Sequence, residues 1–207
     1  MDSDVKITTQ QKIVNAAQQE FMQFGYTNVT VDEIAQAAGV SKKTIYKYFR
    51  SKENIFWEVM KCKKTDKENM FQDILEMDVD FLEKMRLIGY RTAQDIKEAP
   101  IVFLKDLKRN APELYQEVEL LRKKAILNTF RSFYEKGVEE NYFRKDIPIE
   151  LVIQMYYSMM SSMFSLALDE GKYNIEQLYD FVGMIFFEGV FSREGFKKYN
   201  RTIEDNQ

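Results

Sequence analysis

Five cationic side chains lie within the eleven residues from position 42 to position 52, and such side chains bind phosphate oxygens. They are Lys42, Lys43, Lys47, Arg50 and Lys52. No acidic residue occurs between positions 34 and 52, so the stretch has a local charge of +5 in a chain whose net charge is −3. Tyr46 and Tyr48 alternate with the cations and supply hydroxyl donors for the same oxygens. This combination indicates a site for a polyanion.

The sequence around this cluster predicts two short helices joined by a tight turn. Thr30 and Glu33 have the spacing of a capping box, in which each side chain bonds the backbone N–H of the other residue. Val29 and Ile34 have the spacing of the hydrophobic staple that accompanies such a cap. A first helix is therefore predicted to begin directly after Thr30.

The same pattern begins again eleven residues later, at Ser41. Ser41 is the predicted N-cap of the second helix, with Val40 and Ile45 as its staple. Gly39 lies between the helices, where the chain needs the left-handed conformation that glycine adopts at no steric cost. Two capped helices around such a glycine predict a helix-turn-helix.

Most lysine-rich segments are solvated helix faces without a ligand, and that interpretation competes here. The present cluster lies on the second helix of the predicted helix-turn-helix, and this is the helix that enters the major groove of DNA in such motifs. Because the caps, the glycine turn and the cations coincide, we predict that the cluster binds double-stranded DNA.

The stretch from about Thr9 to Trp57 closely resembles the N-terminal signature of TetR-family transcriptional regulators. The residues that carry the resemblance are Ile34, Ala35, Gly39, Val40, Ser41, Thr44, Ile45, Tyr46, Tyr48, Phe49 and Lys52. The position of Tyr48 is often histidine in that family, and tyrosine keeps a donor that reaches phosphate. Beyond this stretch the resemblance is in length and helical character.

The resemblance implies a homodimeric repressor that binds a palindromic operator and is released by a small-molecule ligand. Residues 1–51 are expected to form the DNA-binding domain, and residues 52–207 the ligand-binding and dimerisation domain. The resemblance implies that Lys42, Lys43 and Thr44 meet base edges or nearby phosphates, and that Tyr46, Lys47 and Tyr48 hold phosphates or bases. Thr30 and Lys52 are expected to contact the DNA backbone on either side. The expected set is Thr30, Ser41, Lys42, Lys43, Thr44, Tyr46, Lys47, Tyr48 and Lys52.

The composition favours a helical protein with few means of catalysis. Three prolines and eight glycines in 207 residues leave long uninterrupted stretches, which favours an all-α fold. The chain has no histidine and one cysteine, Cys62, so a Cys/His zinc site and the commonest general base are excluded. We therefore expect a protein that is not an enzyme, with no metal and no cofactor. The single cysteine and the polar N-terminus indicate a cytoplasmic location without a signal peptide.

Hydrophobic periodicity predicts about nine helices. The first is expected over residues 9–24, with Thr8 or Thr9 as its cap and with Ile13, Ala17, Phe21 and Phe24 on its apolar face. After the helix-turn-helix, helices are predicted over about 52–75, 79–96, 100–107, 112–136, 151–168 and 175–191. Pro100 and Pro112 are expected to open two of them, and Gly137 to end the seventh. Residues 140–148 are expected to form a connector. Residues after Arg193 are expected to fray.

The two last predicted helices are the candidates for a dimer interface. Residues 151–168 carry no charge, but Gln154 and four serines interrupt them and no basic flank follows, so a membrane span is rejected. Residues 175–191 are apolar on nearly every side, which predicts burial on all sides. We expect both helices to pack against a second copy of the chain. The alternative is burial of both within one subunit.

Five residues with polar groups among apolar neighbours are the candidates for a pocket that binds a small apolar or amphipathic ligand. They are Tyr90, Asn128, Tyr134, Gln154 and Tyr156. The eleven methionines and sixteen phenylalanines suit an adaptable apolar pocket, and they equally suit an ordinary core. The alternative function is a ligand-independent helix-turn-helix protein that binds DNA constitutively or recruits a partner.

Overall fold

The computed structural model describes residues 7–97, 101–169 and 175–204, and ten α-helices and no β-strand occupy these ranges. The helices are α1 (Thr9–Phe24), α2 (Val31–Ala38), α3 (Lys42–Tyr48), α4 (Lys52–Glu76), α5 (Phe81–Lys97), α6 (Ile101–Asn110), α7 (Pro112–Glu139), α8 (Ile149–Asp169), α9 (Ile175–Val190) and α10 (Arg193–Glu204). The predicted all-α fold is confirmed. Pro100, the predicted start of α6, lies outside the described residues.

The helices form two compact units that interleave along the chain. The first unit comprises residues 1–67 and 100–120, and the second comprises residues 68–99 and 121–207. The division of the chain into a DNA-binding domain over residues 1–51 and a second domain over residues 52–207 stays a prediction about function. In the structure, α6 packs with α1 in the first unit.

The core of the first unit is built on one face of α1. Ile13, Ala17 and Phe21 of this helix are fully buried. They pack in one cluster with Ile34 of α2 and Ile45 of α3, which are also fully buried. The predicted apolar face of α1 is confirmed for these three positions. Phe24, expected on the same face, is 47% exposed because α1 ends at this residue.

An aromatic cluster forms the core of the second unit. Phe81 of α5 is fully buried and stacks on Tyr142, with 4.9 Å between the ring centroids. Phe143 stacks on Tyr134 of α7 at 5.1 Å. Tyr142 and Phe143 belong to the segment 140–148, which the sequence predicted only as a connector. Ring packing therefore makes this connector part of the core.

Gly137 does not end α7, contrary to the prediction, because the helix continues to Glu139. The residue is buried, and a Cβ placed on it would lie 2.3 Å from Phe143 Cδ2 and 2.6 Å from Phe81 Cζ. This position requires glycine because two aromatic rings lie where a side chain would be.

The C-terminal segment forms a tenth helix, which contradicts the predicted fraying after Arg193. Gly195 of α10 lies against the backbone carbonyl of Tyr142, and a Cβ there would be 2.1 Å from that oxygen. Tyr199 stacks on Phe191 with 5.0 Å between centroids. Contacts with Tyr142, which is distant in sequence, and with the nearby Phe191 thus hold α10 in place.

The α8 and α9 helices pack together in the second unit and leave one apolar face exposed in the single chain. Leu151 and Met155 of α8 are 52% and 51% exposed, and Phe181, Met184 and Ile185 of α9 are 59%, 53% and 63% exposed. The expected burial on all sides is therefore not met within one subunit. No helix among the described residues is both long enough and apolar enough to cross a bilayer.

Candidate nucleic-acid interface

The second helix of the predicted helix-turn-helix is held by its N-cap and by one buried side chain. The Ser41 hydroxyl accepts a hydrogen bond from the Thr44 backbone N–H at 3.1 Å, as predicted for the cap. Ile45 is fully buried in the core of the first unit and fixes the inner side of α3. Gly39 adopts φ 66° and ψ 33°, the left-handed conformation expected between the two helices.

The outer side of α3 presents the predicted cationic residues to solvent. At about 100° per residue, Lys42, Lys43, Tyr46 and Lys47 fall within one arc of about 140° on this helix. All four are exposed, and the Tyr46 side chain is 50% exposed. Tyr48 lies at the C-terminal end of the helix and is 43% exposed. A surface with three ammonium groups and phenol hydroxyls suits the phosphate backbone and base edges of a duplex.

Lys42 forms a salt bridge with an acidic residue that precedes the cationic stretch. Its ammonium donates to Asp32 Oδ2 at 2.7 Å, and this hydrogen bond raises the pKa of Lys42. Asp32 lies in the first turn of α2, where a carboxylate is favoured by the helix dipole. In the sequence, this contact could have been inferred from the position of Asp32 two residues after the Thr30 cap. Lys43 and Lys47 carry no such pairing with another described residue.

The hydroxyl of Thr30 takes part in the capping box of α2. Thr30 donates from both its N–H and its hydroxyl to Glu33 Oε2, at 2.7 and 2.8 Å. These bonds, the backbone one first, lower the pKa of the Glu33 carboxyl. The hydroxyls of Ser41 and Thr44 lie 2.8 Å apart and bond each other. The structure therefore shows capping contacts for all three serine and threonine hydroxyls proposed from the sequence as DNA contacts.

Lys52 directs its ammonium inward in this structure. The nitrogen donates to the backbone carbonyls of Tyr26 and Val29, both at 2.9 Å, and lies 4.4 Å from the centroid of the Tyr26 ring. Burial lowers the pKa of Lys52, with attraction by Asp106 and Glu33 acting in the opposite direction. Two of its three N–H donors are thus used by the protein.

Replacing Lys47 with alanine is expected to weaken DNA binding about equally for all sequences, because an exposed lysine at a phosphate contributes mainly counterion release. The slope of log K against log salt should fall by about one for each subunit that contacts the duplex, relative to the unchanged protein. Fluorescence anisotropy with a labelled duplex over a salt series measures both effects. Lys197→Ala, which removes an exposed lysine of α10 in the second unit, is the matched control. Equal slopes for both variants would show that Lys47 does not contact the DNA.

The five predicted ligand residues all lie in the second unit but have different environments. Tyr90 is 57% exposed, and Asn128 and Gln154 are also exposed. Tyr134 is buried, and its hydroxyl donates to the Arg144 carbonyl at 2.9 Å. Tyr156 stacks on Phe130 with 3.8 Å between centroids. Burial raises the pKa values of both Tyr134 and Tyr156.

Two hollows occur on the second unit, and none of the five residues is among the described residues that line them. An apolar hollow of about 320 Å³ lies between α8 and α9. Its described lining is Ser158, Met159, Ser162, Met163, Leu166, Leu178 and Val182. A more polar hollow of about 680 Å³ lies beside the start of α10, with Arg144, Lys145 and Arg193 in its lining. The structure does not bring the five residues into either hollow.

Comparison with known proteins gives matches over both the motif and most of the chain. Residues 13–59 match the profile of the family described as bacterial regulatory proteins, tetR family. The fatty acid metabolism regulator protein of Bacillus subtilis is 26% identical over 188 residues, covering 88% of this chain and 95% of that protein.

Solved structures of similar proteins have the same fold over most of their length. The fatty acid degradation regulator FadR from Bacillus halodurans matches with a TM-score of 0.65 and 25% identity, over 87% of this chain and 95% of that one. The transcriptional regulator FadR from Bacillus subtilis, solved in complex with stearoyl-CoA, matches with a TM-score of 0.65 and 23% identity. That match covers 86% of this chain and 97% of the other.

Proposed function

Since the chain belongs to the TetR family of DNA-binding transcriptional regulators, we propose that it is a cytoplasmic homodimeric repressor released from a palindromic operator by a small molecule. We assign DNA binding to residues 1–51, and ligand binding and dimerisation to residues 52–207. The observation that carries the proposal is the exposed cationic side of α3, held outward by the Ser41 cap and the buried Ile45.

A single helix-turn-helix contacts few base pairs, so specificity requires two of them. A two-fold dimer presents two recognition helices to half-sites about one helical turn apart, ~34 Å. A palindromic operator matches this symmetry. In this assignment Lys43, Lys47 and Tyr46 contact the duplex directly, and Lys42 does so after exchanging its bond with Asp32 for one with DNA.

The exposed face of α8 and α9 is the proposed dimer interface. Leu151, Met155 and Leu166 of α8 lie within one stripe at helical spacing, together with exposed serines, and Phe181 and Ile185 lie on the exposed side of α9. Monomeric proteins rarely expose contiguous apolar patches of this kind. The serines allow close approach of a partner helix, and the apolar side chains supply the buried area. Two copies of this face form a four-helix contact.

Repression and release follow from a difference in ligand affinity between two arrangements of the dimer. A ligand lowers operator affinity only if it binds the arrangement that does not fit DNA more tightly than the one that does. The ratio of those two affinities sets the loss of operator binding.

The proposed ligand class is long-chain acyl-CoA thioesters. Its support is the similarity to two Bacillus regulators named for fatty acid metabolism and degradation, and to one structure solved with stearoyl-CoA. The second unit is rich in methionine and aromatic side chains, which suit an apolar chain. An acyl-CoA also fits the predicted amphipathic ligand.

Stearoyl-CoA is expected to lower the affinity of the protein for the DNA flanking its own gene by about tenfold or more, which is within the usual range of allosteric coupling. A gel shift at constant salt, with stearoyl-CoA titrated from sub-micromolar concentrations, measures this effect. Free CoA, stearate and a detergent with an eighteen-carbon chain are the controls for the headgroup, the chain and surfactant action.

The outcomes separate the proposed function from its alternative. Specific binding that stearoyl-CoA alone reverses supports both the repressor function and the ligand class. Specific binding that stearoyl-CoA leaves unchanged, with no heat of binding by calorimetry, rejects this ligand class and favours the ligand-independent alternative. Binding without preference for any flanking sequence would reject the operator function itself.

A further inference from the structure

The turn between α1 and α2 is held by a buried carboxylate from α6. Asp106 is 8% exposed, and its Oδ2 accepts the Thr27 backbone N–H at 2.8 Å. Its Oδ1 accepts the Thr27 hydroxyl and, at 2.9 Å, the side-chain amide of Asn110. The backbone of the turn is thereby bonded to a helix 79 residues away in sequence. None of the DNA-binding roles assigned above uses Asp106.

Gly25 permits this close approach. It ends α1 with φ 89°, a backbone conformation that side chains disfavour. A Cβ on this residue would lie 2.9 Å from Asp106 Cγ and 3.0 Å from its Oδ2. The turn and the carboxylate therefore fit each other only with glycine at this position.

Lys52 bonds the carbonyls of the same turn from the N-terminus of α4. Its ammonium donates to Tyr26 and Val29, the residues that flank the pair Thr27 and Asn28. The turn clamp, defined here as Asp106 and Lys52 with the turn residues 26–29, thus engages N–H and carbonyl groups at once. Val29 directly precedes Thr30, the cap of α2, so the clamp bonds the backbone immediately before the start of α2.

We propose that Asp106 and Lys52 are positioning residues for sequence-specific DNA binding, which hold α2 and α3 at the angle that operator base edges require. This inference rests on the proposed function. Base-edge hydrogen bonds depend on donor–acceptor distances within a few tenths of an ångström, whereas phosphate attraction by long lysine side chains tolerates small displacements. Loss of the clamp therefore lowers specific binding more than non-specific binding.

The protonation state of Asp106 suits this role. Burial opposes ionisation of the carboxyl, but the hydrogen bonds from Thr27, Asn110 and the Tyr26 backbone outweigh it and hold the pKa of Asp106 below its usual value. The clamp accordingly carries a carboxylate opposite an ammonium near neutral pH.

The test compares Thr27→Val, which removes the hydroxyl donor at nearly constant shape, with Thr27→Ser, which keeps it. Asp106→Asn removes the charge. Dissociation constants for operator DNA and for a random duplex of equal length are measured at several salt concentrations, and thermal unfolding is followed by circular dichroism. We expect the operator-to-random affinity ratio to fall about tenfold in the valine and asparagine variants. The serine variant should stay within about twofold of the unchanged protein, and all three should keep the salt slope.

A folded valine or asparagine variant with an unchanged affinity ratio overturns the inference. An equal loss of operator and random binding that tracks a lower unfolding temperature also overturns it, because that result describes stability alone. If the unchanged protein itself shows no preference for operator DNA, the proposed function fails, and this outcome is separable because it does not depend on any variant.

Discussion

Replacing Ile185 with arginine is expected to convert the protein to a monomer and to lower operator affinity by at least about 100-fold. Ile185 is 63% exposed on the α9 side of the proposed interface, so the substitution does not disturb the core of one subunit. In the dimer it would place a guanidinium in an apolar contact, where an unpaired charge costs several kcal/mol. A single half-site then retains chiefly non-specific affinity, which is typically at least about 10³-fold weaker than specific binding.

Size-exclusion chromatography with light scattering gives the mass of the variant, and anisotropy gives its operator affinity. Val102→Arg is the matched control because Val102 is 57% exposed, lies on α6 in the first unit, and is outside the proposed interface. A dimeric Ile185→Arg protein with unchanged operator affinity would show that this face is not the interface.

Replacing Gly137 with alanine is expected to destabilise the second unit by about 2 kcal/mol. The new methyl group would lie 2.3 Å from Phe143 Cδ2 and 2.6 Å from Phe81 Cζ. Neither ring has room to move, since Phe143 stacks on Tyr134 and Phe81 on Tyr142. Overpacking of this kind costs about 1–3 kcal/mol or more, and it exceeds the gain of about 1 kcal/mol that alanine brings to a helix interior.

Gly89→Ala is expected to have the opposite effect on the stability of the same unit. Gly89 lies inside α5, and a Cβ there meets no atom within 4 Å. Only the helix-propensity gain remains, so this variant should be more stable by up to about 1 kcal/mol. Thermal unfolding should shift down by about 4–8 °C for Gly137→Ala and up by about 2–4 °C for Gly89→Ala. Shifts of the same sign in both variants would contradict the packing argument.

The local sequence determined the helix-turn-helix. The caps at Thr30 and Ser41 and the left-handed Gly39 occur as predicted. Each of these features depends on residues within about one helical turn of one another, so short sequence spacings are enough to predict them. The all-α fold follows from the same kind of information, because helical periodicity needs no knowledge of distant partners.

Tertiary structure decided the roles of residues whose partners lie far along the chain. Lys52 was expected from the family resemblance to contact the DNA backbone, and that role stays a prediction. What the structure adds is that its ammonium bonds backbone carbonyls 23 and 26 residues earlier. Gly137 was predicted to end a helix, but aromatic rings from α5 and from the segment after α7 surround it. The tenth helix was not predicted, because its polar sequence is held by Tyr142 and Phe191.

Tertiary packing also decided the environments of the ligand candidates and of the dimer face. Tyr134 and Tyr90 look alike in sequence, yet one is buried with its hydroxyl bonded and the other is 57% exposed. The sequence determined that residues 175–191 are apolar on nearly every side, and only the packed subunit revealed that Phe181 and Ile185 remain exposed. Short-range patterns set which segments are helical and which helix carries the cations, whereas burial depends on the simultaneous packing of all helices.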